Sequence, residues 1–308
     1  LKTEAKQGKL QAMSEEIRHE FVNANGLRFH VAACGEGDQL ALCLHGFPEC
    51  WYSWRFQLPL LARFGYRVWA PDLRGYGETD RPLRLRDYAI EDLVQDVAAL
   101  IDASGCRSTL LIGHDWGAMI AWIFAIRSPR PLDRLVIMNV PHPVPFWRAL
   151  RTWRQLKRSW YIFFFQLPWL PELLLAARNY RFVTEAFRGM AVDKNRFPED
   201  VLSVYRENAA RPGALTAMVN YYRAILRGGG GTRQRKLGYP RIDTPTLMVW
   251  GEHDAALGKE TTYGTEKYVS DLTLRYLPEV SHWVQQEAPE TVNAMLEAWL
   301  TDRPVPEA

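Results

Sequence analysis

The chain has 308 residues, 47% of them hydrophobic and 24% charged, with a formal net charge of +3. That length suits one large core or a core with an inserted subdomain, and so small a charge gives no reason to expect nucleic acid or an acidic partner. Cys34, Cys43, Cys50 and Cys106 form no C-x-x-C pair and no Cys/His cluster at zinc spacing, which argues against a metal site or a disulfide scaffold and for a reducing compartment such as the cytoplasm.

The sequence opens on a polar stretch, LKTEAKQGKLQA, ahead of Met13-Ser14. Residues 1–20 read as an N-terminal arm, either an appended remnant or a frayed native segment. Residues 21–33 alternate loosely on either side of Asn25-Gly26, which predicts a hairpin. Six short runs then follow that are mostly apolar: residues 40–44 (LALCL), 66–70 (YRVWA), 108–112 (STLLI), 135–138 (LVIM), 246–250 (TLMVW) and 272–277. Such runs fit strands buried on both faces, as in a parallel sheet. Helical spacing appears between them: Leu93, Val97, Leu100 and Ile101 within 92–103, residues 118–126 after Gly117, and Val292, Met295, Leu296 and Trp299 within 291–300. Alternating strands and helices predict an α/β fold with a mostly parallel, doubly wound sheet.

The rhythm breaks over residues 141–239, which are aromatic, basic and free of strand-like runs. Phe146, Trp147, Leu150, Trp153, Leu156 and Trp160 fall at helical spacing beside a basic stripe of Arg148, Arg151, Arg154, Lys157 and Arg158. The spacing predicts one amphipathic helix packed on the domain with a solvated basic face; a helix lying on a membrane surface is the alternative. Gly228-Gly229-Gly230-Gly231 predicts a mobile spacer loop, with gating as the other reading. No run is long and apolar enough to cross a bilayer. The nearest, residues 160–175, is interrupted by Gln166, Pro168, Pro171 and Glu172, and no secretory signal pattern is present.

The chemistry sits at the ends of the predicted strands. Gly113-His114-Asp115-Trp116-Gly117 lies between a strand and a helix, where a sharp turn lifts one side chain above the sheet and crowding calls for small residues two positions to either side. The middle residue is Asp115, a carboxylate able to attack carbon and form an ester; by itself such an Asp also reads as a helix cap. His45-Gly46-Phe47-Pro48-Glu49 follows an earlier strand. Backbone N–H groups of that loop can join that of Trp116 in stabilising an oxyanion, although Gly46 and Pro48 taken alone read first as an ordinary turn. Asp254 follows the strand TLMVW and His282 follows the last strand, with room between them for a helix and that strand. Asp115, Asp254 and His282 thus stand in the order nucleophile, acid, histidine, at strand ends that converge on one crevice.

HGFPE (residues 45–49), DLRGYG (72–77), GHDWGA (113–118) and SHW (281–283) together resemble the epoxide hydrolase branch of the α/β-hydrolase superfamily, beside the haloalkane and fluoroacetate dehalogenases, over residues 21–300. The resemblance implies an α/β-hydrolase core over 21–140 and 240–302 and an inserted helical cap over 141–239. It implies Asp115 as nucleophile, His282 as general base and Asp254 as its orienting acid. Phe47 and Trp116 would supply the oxyanion-hole N–H groups, with a cis bond at Phe47-Pro48. Two cap tyrosines would face the nucleophile: Tyr161, matched by its place before Phe-Gln-x-Pro, and Tyr222, before Arg, with Tyr221 as the adjacent fallback. Phenols can protonate an epoxide oxygen near neutral pH. A halide would instead take donors such as the Trp116 indole, so a haloalkane or haloacid dehalogenase with the same triad is the nearest rival. An esterase fits less well, because the elbow carries Asp rather than Ser, and a non-catalytic receptor would not need the full triad. The implied ligand is a small apolar epoxide, with no cofactor, no metal, no nucleic acid and no expected membrane association; a homodimer is left open. Detoxification, lipid signalling and catabolism all suit such a site.

Overall fold

The computed structural model describes residues 16–307. Its first two strands, β1 (Arg18–Ala24) and β2 (Leu27–Cys34), form the predicted hairpin. Asn25 and Gly26 turn it at φ of 46° and 73°, the left-handed pair that a two-residue turn needs to match the strand twist. Strand begins at Arg18, inside the region expected to be an arm. The question of an appended remnant falls on residues 1–12, which lie outside the described residues.

Six more strands follow: β3 (Gln39–Leu44), β4 (Tyr66–Pro71), β5 (Ser108–His114), β6 (Arg134–Met138), β7 (Thr246–Gly251) and β8 (Leu272–Leu277). They make one eight-stranded sheet in the order β1-β2-β4-β3-β5-β6-β7-β8, parallel from β4 to β8 with the hairpin antiparallel at one edge. Helices α1 (Gln57–Arg63), α2 (Ile90–Ser104) and α3 (Trp116–Arg127) lie among the first strands. The short α11 (Val284–Glu287) and the longer α12 (Pro289–Leu300) close the chain. Alternation along β3 explains the two layers. Leu40, Leu42 and Leu44 join the cluster that takes in α2 and α3, while Ala41 and Cys43 join the one that takes in α1 and α12. This is the doubly wound α/β-hydrolase architecture.

Between β6 and β7 the described residues contain helices and no strand: α4 (Pro143–Ala149), α5 (Trp153–Arg158), α6 (Trp160–Phe164), α7 (Leu170–Arg188), α8 (Glu199–Ala210), α9 (Ala214–Arg227) and α10 (Gly230–Leu237), with a non-helical kink inside α7 at residues 177–180. The single amphipathic helix expected over 146–160 is three short ones. Thr152 breaks it: its hydroxyl donates to the Ala149 carbonyl at 2.7 Å and accepts from the Gln155 N–H at 3.3 Å, so the side chain competes with the helical ladder. Phe146, Trp147, Leu150 and Leu156 consequently face a cavity, whereas Trp153 and Trp160 face outward.

The four-glycine run is also not a loop. Gly228 ends α9, Gly229 turns at φ 70°, and Gly230 and Gly231 begin α10. A Cβ on Gly230 would come within 2.9 Å of Ile90, so the run is a tight corner between helices. The segment is seated on the core through α9. Gly75, at φ 82°, leaves room for Ala217, whose Cβ would lie 2.6 Å from a Cβ at that position. Beside it the Tyr221 hydroxyl donates to the Arg74 carbonyl at 2.8 Å.

Candidate active site

Strand β5 ends at His114 and α3 begins at Trp116, leaving Asp115 alone in the bend at φ 47°, ψ −119°. A non-glycine residue held in such a sparsely populated region stores about 1–3 kcal/mol of strain, so the surrounding contacts must hold it there. They are close. A Cβ on Gly113 would lie 2.6 Å from the backbone of Gly117, one on Gly117 would lie 2.1 Å from the Leu44 carbonyl oxygen, and one on Gly46 would lie 2.3 Å from the Asp115 Cβ. The G-x-D-x-G spacing is therefore set by backbone packed on backbone.

The Asp115 carboxylate points its two oxygens at different partners. Oδ1 accepts the Phe47 N–H at 2.7 Å; Oδ2 lies 3.6 Å from His282 Nε2. As the first residue of α3, Trp116 has no intrahelical acceptor for its own N–H. Burial opposes ionisation of Asp115, yet the His282 ring and the Phe47 N–H hold its carboxyl below the usual range. The Phe47-Pro48 bond is cis.

His282 is buried and held from behind. Its Nδ1 donates to Asp254 Oδ2 at 2.6 Å. Asp254 is fixed in turn by the Ala256 and Leu257 N–H groups on Oδ1, at 2.7 and 2.8 Å, and by the Asn139 amide on Oδ2, at 2.8 Å. Burial disfavours the imidazolium, but the charges of Asp254 and Asp115 outweigh it and push the His282 pKa up to about 10.

Three residues that hold these loops together are not evident from the sequence. Asn139 follows β6 at φ 48°, accepts the Gly251 N–H at 2.9 Å and ties the loop of Asp254 to the sheet. Its signal was a polar residue stopping a buried apolar run. Glu49 lies in HGFPE and His114 in GHDWGA. Glu49 Oε2 accepts the Gly46 N–H at 2.8 Å and faces His114 Nδ1 at 2.8 Å, while His114 Nε2 donates to the His282 carbonyl at 2.9 Å. This buried chain joins the HGFPE loop, the elbow and the histidine loop. His45 and Gly46 therefore shape the loop and do not present free donors to a ligand: the His45 ring lies 2.9 Å from both the Gly46 carbonyl and the Leu73 N–H, and the Gly46 N–H is bonded to Glu49. Pro48 has no N–H to offer.

Above Asp115 lies a cavity of about 320 Å³ whose wall includes Trp116, Met119, Phe146, Tyr161, Tyr222 and Leu257. The Tyr161 and Tyr222 rings meet edge to face at 5.7 Å. Burial and the Asp115 charge raise both phenol pKa values, so both remain proton donors at neutral pH. The Trp116 and Tyr222 rings meet edge to face at 5.0 Å. Tyr221 points elsewhere, its hydroxyl held by Arg74, which leaves Tyr222 as the residue of the pair on the cavity wall.

Comparison with known proteins adds to this geometry. Residues 41–289 match the model of the alpha/beta hydrolase fold family. The chain is 40% identical to "Epoxide hydrolase 4" of Homo sapiens over 288 residues, covering 91% of this chain and 78% of that one. It is 37% identical to the "AB hydrolase superfamily protein YfhM" of Bacillus subtilis (strain 168), covering 93% and 99%. A solved epoxide hydrolase from Bacillus megaterium, in complex with an inhibitor, superposes with a TM-score of 0.83 at 32% identity, covering 92% of this chain and 100% of that one.

Proposed function

The chain belongs to the α/β-hydrolase fold family and, within it, to the epoxide hydrolases, and on that premise we propose that it opens an apolar epoxide with water to a vicinal diol through an ester on Asp115. The observation that carries the reading is one ionised carboxylate at the base of an apolar cavity, faced by two protonated phenols and backed by a His–Asp pair. Residues 21–140 and 240–302 act as the core, and residues 141–239 as the cap that closes the cavity over the nucleophile. Cys43, Cys50 and Cys106 are free thiols, which supports a cytoplasmic setting.

The epoxide binds with its ring oxygen toward Tyr161 and Tyr222. Asp115 Oδ2, the oxygen not held by the Phe47 N–H, attacks a ring carbon from the far side. The C–O bond breaks, and a phenol proton meets the developing alkoxide. His282, whose resting proton passes on to restore the phenol, then takes a proton from water, which adds to the ester carbonyl. The oxyanion forms on Oδ1 against the Phe47 N–H, with the Trp116 N–H as second donor, and collapses to release the diol.

The electrostatics give the two steps different pH profiles. In the resting site His282 sits between two carboxylates and is an imidazolium through neutral pH. Esterification removes the Asp115 charge, burial and Asp254 remain, and the His282 pKa falls, which frees the imidazole to act as a base. Ester formation is therefore expected to be flat through neutrality and to fall only in acid, as the Asp115 carboxylate is protonated. Ester hydrolysis is expected to rise with pH through the lowered His282 pKa. Rapid quenching with intact-mass detection checks this: the fraction of enzyme held as ester should grow as pH is lowered, and a fraction that shrinks contradicts the assignment.

The phenols separate this reading from dehalogenation. Tyr161→Phe with Tyr222→Phe is expected to slow epoxide opening by about 10²–10⁴-fold, the usual range for general acid catalysis, while the alkyl ester, once formed, hydrolyses at nearly its normal rate. Single-turnover rates for the two steps test it, and equal losses in both count against proton donation. Styrene oxide, a fatty-acid epoxide and a bromoalkane, assayed together for diol and halide, test the activity itself. Halide release without any diol would overturn it.

A further inference from the structure

The outer side of α5, α6 and the start of α7 is unusual for a surface. Trp153 is 69% exposed, Trp169 70% and Leu173 59%, and Trp160, Phe163 and Leu174 are also at least half exposed. Scattered exposed apolar residues are ordinary, but six within 22 residues concentrate apolar surface on one stretch of the chain, and Trp is the side chain suited to a boundary between water and an apolar phase. Charge follows the same stretch. Residues 143–181 carry seven basic residues (Arg148, Arg151, Arg154, Lys157, Arg158, Arg178 and Arg181) and one acid, Glu172. Glu172 is withdrawn from the surface into an ion pair with Arg223. Glu260 partly offsets Arg154 and Arg158, and Glu185 pairs with Arg181, which leaves the basic excess in place. Lys157 lies 5.2 Å over the Trp153 ring, so cation and indole already share one spot.

Aromatic and aliphatic side chains interleaved with cations match an anionic lipid surface. There the rings enter the headgroup boundary and each nearby Lys or Arg adds attraction. A second copy fits less well, because a two-fold interface would set the basic stretch against itself. No helix among the described residues is long and apolar enough to cross a membrane. We infer that the outer face of α5–α7 docks this protein on anionic bilayers. Phe163 belongs to that face and also lines the cavity, so docking brings the cavity wall to the lipid, and an apolar ligand dissolved there meets it without crossing bulk water.

The test is co-sedimentation of the full chain with vesicles of phosphatidylcholine alone or mixed with phosphatidylserine, at low and high salt. Binding to the mixed vesicles, weakened by salt and reduced at least about tenfold by Trp153→Ser with Trp169→Ser and Leu173→Ser, is the expected result. Turnover of a water-soluble epoxide by that variant should equal that of the parent, which shows it folded. Three outcomes overturn the inference: equal binding to neutral vesicles, unchanged binding by the variant, or no vesicle binding together with a concentration-dependent dimer that the substitutions abolish. The last would make the face an interface between copies.

Discussion

Alanine at position 282 leaves an enzyme that reacts once and stops. With His282→Ala, Asp115 keeps its place in the elbow and its bond from the Phe47 N–H, so an epoxide is still attacked and the ester still forms. Nothing then deprotonates the water. The intact protein should gain the mass of one substrate molecule, and diol should appear only at the rate of uncatalysed ester hydrolysis. Removing a base that acts in one step of two costs several powers of ten in turnover, and the modified fraction should approach unity. Peptide mapping should place the added mass on Asp115. A variant that loses activity without any adduct, using a substrate the parent turns over, contradicts a covalent intermediate.

Asp115→Ala is expected to remove turnover by about 10⁶-fold, the scale seen when a covalent nucleophile is lost. Loss of activity alone does not distinguish a nucleophile from a base, and isotope labelling does. In heavy-oxygen water, with parent enzyme in excess over epoxide, the first diol should contain only light oxygen, because its new oxygen is Asp115 Oδ2. The heavy oxygen should appear in the Asp115 carboxylate. If water attacked the ring directly, the first diol would carry the label and the protein would not.

The sheet was readable in the sequence because parallel strands buried on both faces leave runs such as LALCL and TLMVW that little else explains. The triad was readable because each member follows such a run. What escaped depended on contacts between distant segments. Asn139 is visible as the end of a strand, but its bond to Asp254 spans the sheet from β6 to β7. Glu49 and His114 meet across loops 65 residues apart and act on His282 through its backbone, which no local pattern encodes. The cap was misread in detail for a related reason. Periodicity counts apolar positions and gives no weight to a hydroxyl such as that of Thr152 that diverts the backbone. Likewise, four glycines signal freedom in an isolated chain and close packing once Ile90 lies beside them.

The seating of α9 against Gly75 also fixes part of the cavity wall. Ala217 fills the space that a side chain at Gly75 would need, and Tyr221 is bonded to the backbone one residue away, so α9 is riveted to the core. Tyr222 rides on the same helix, so its place on the cavity wall is set by the contacts that pin α9 to the core.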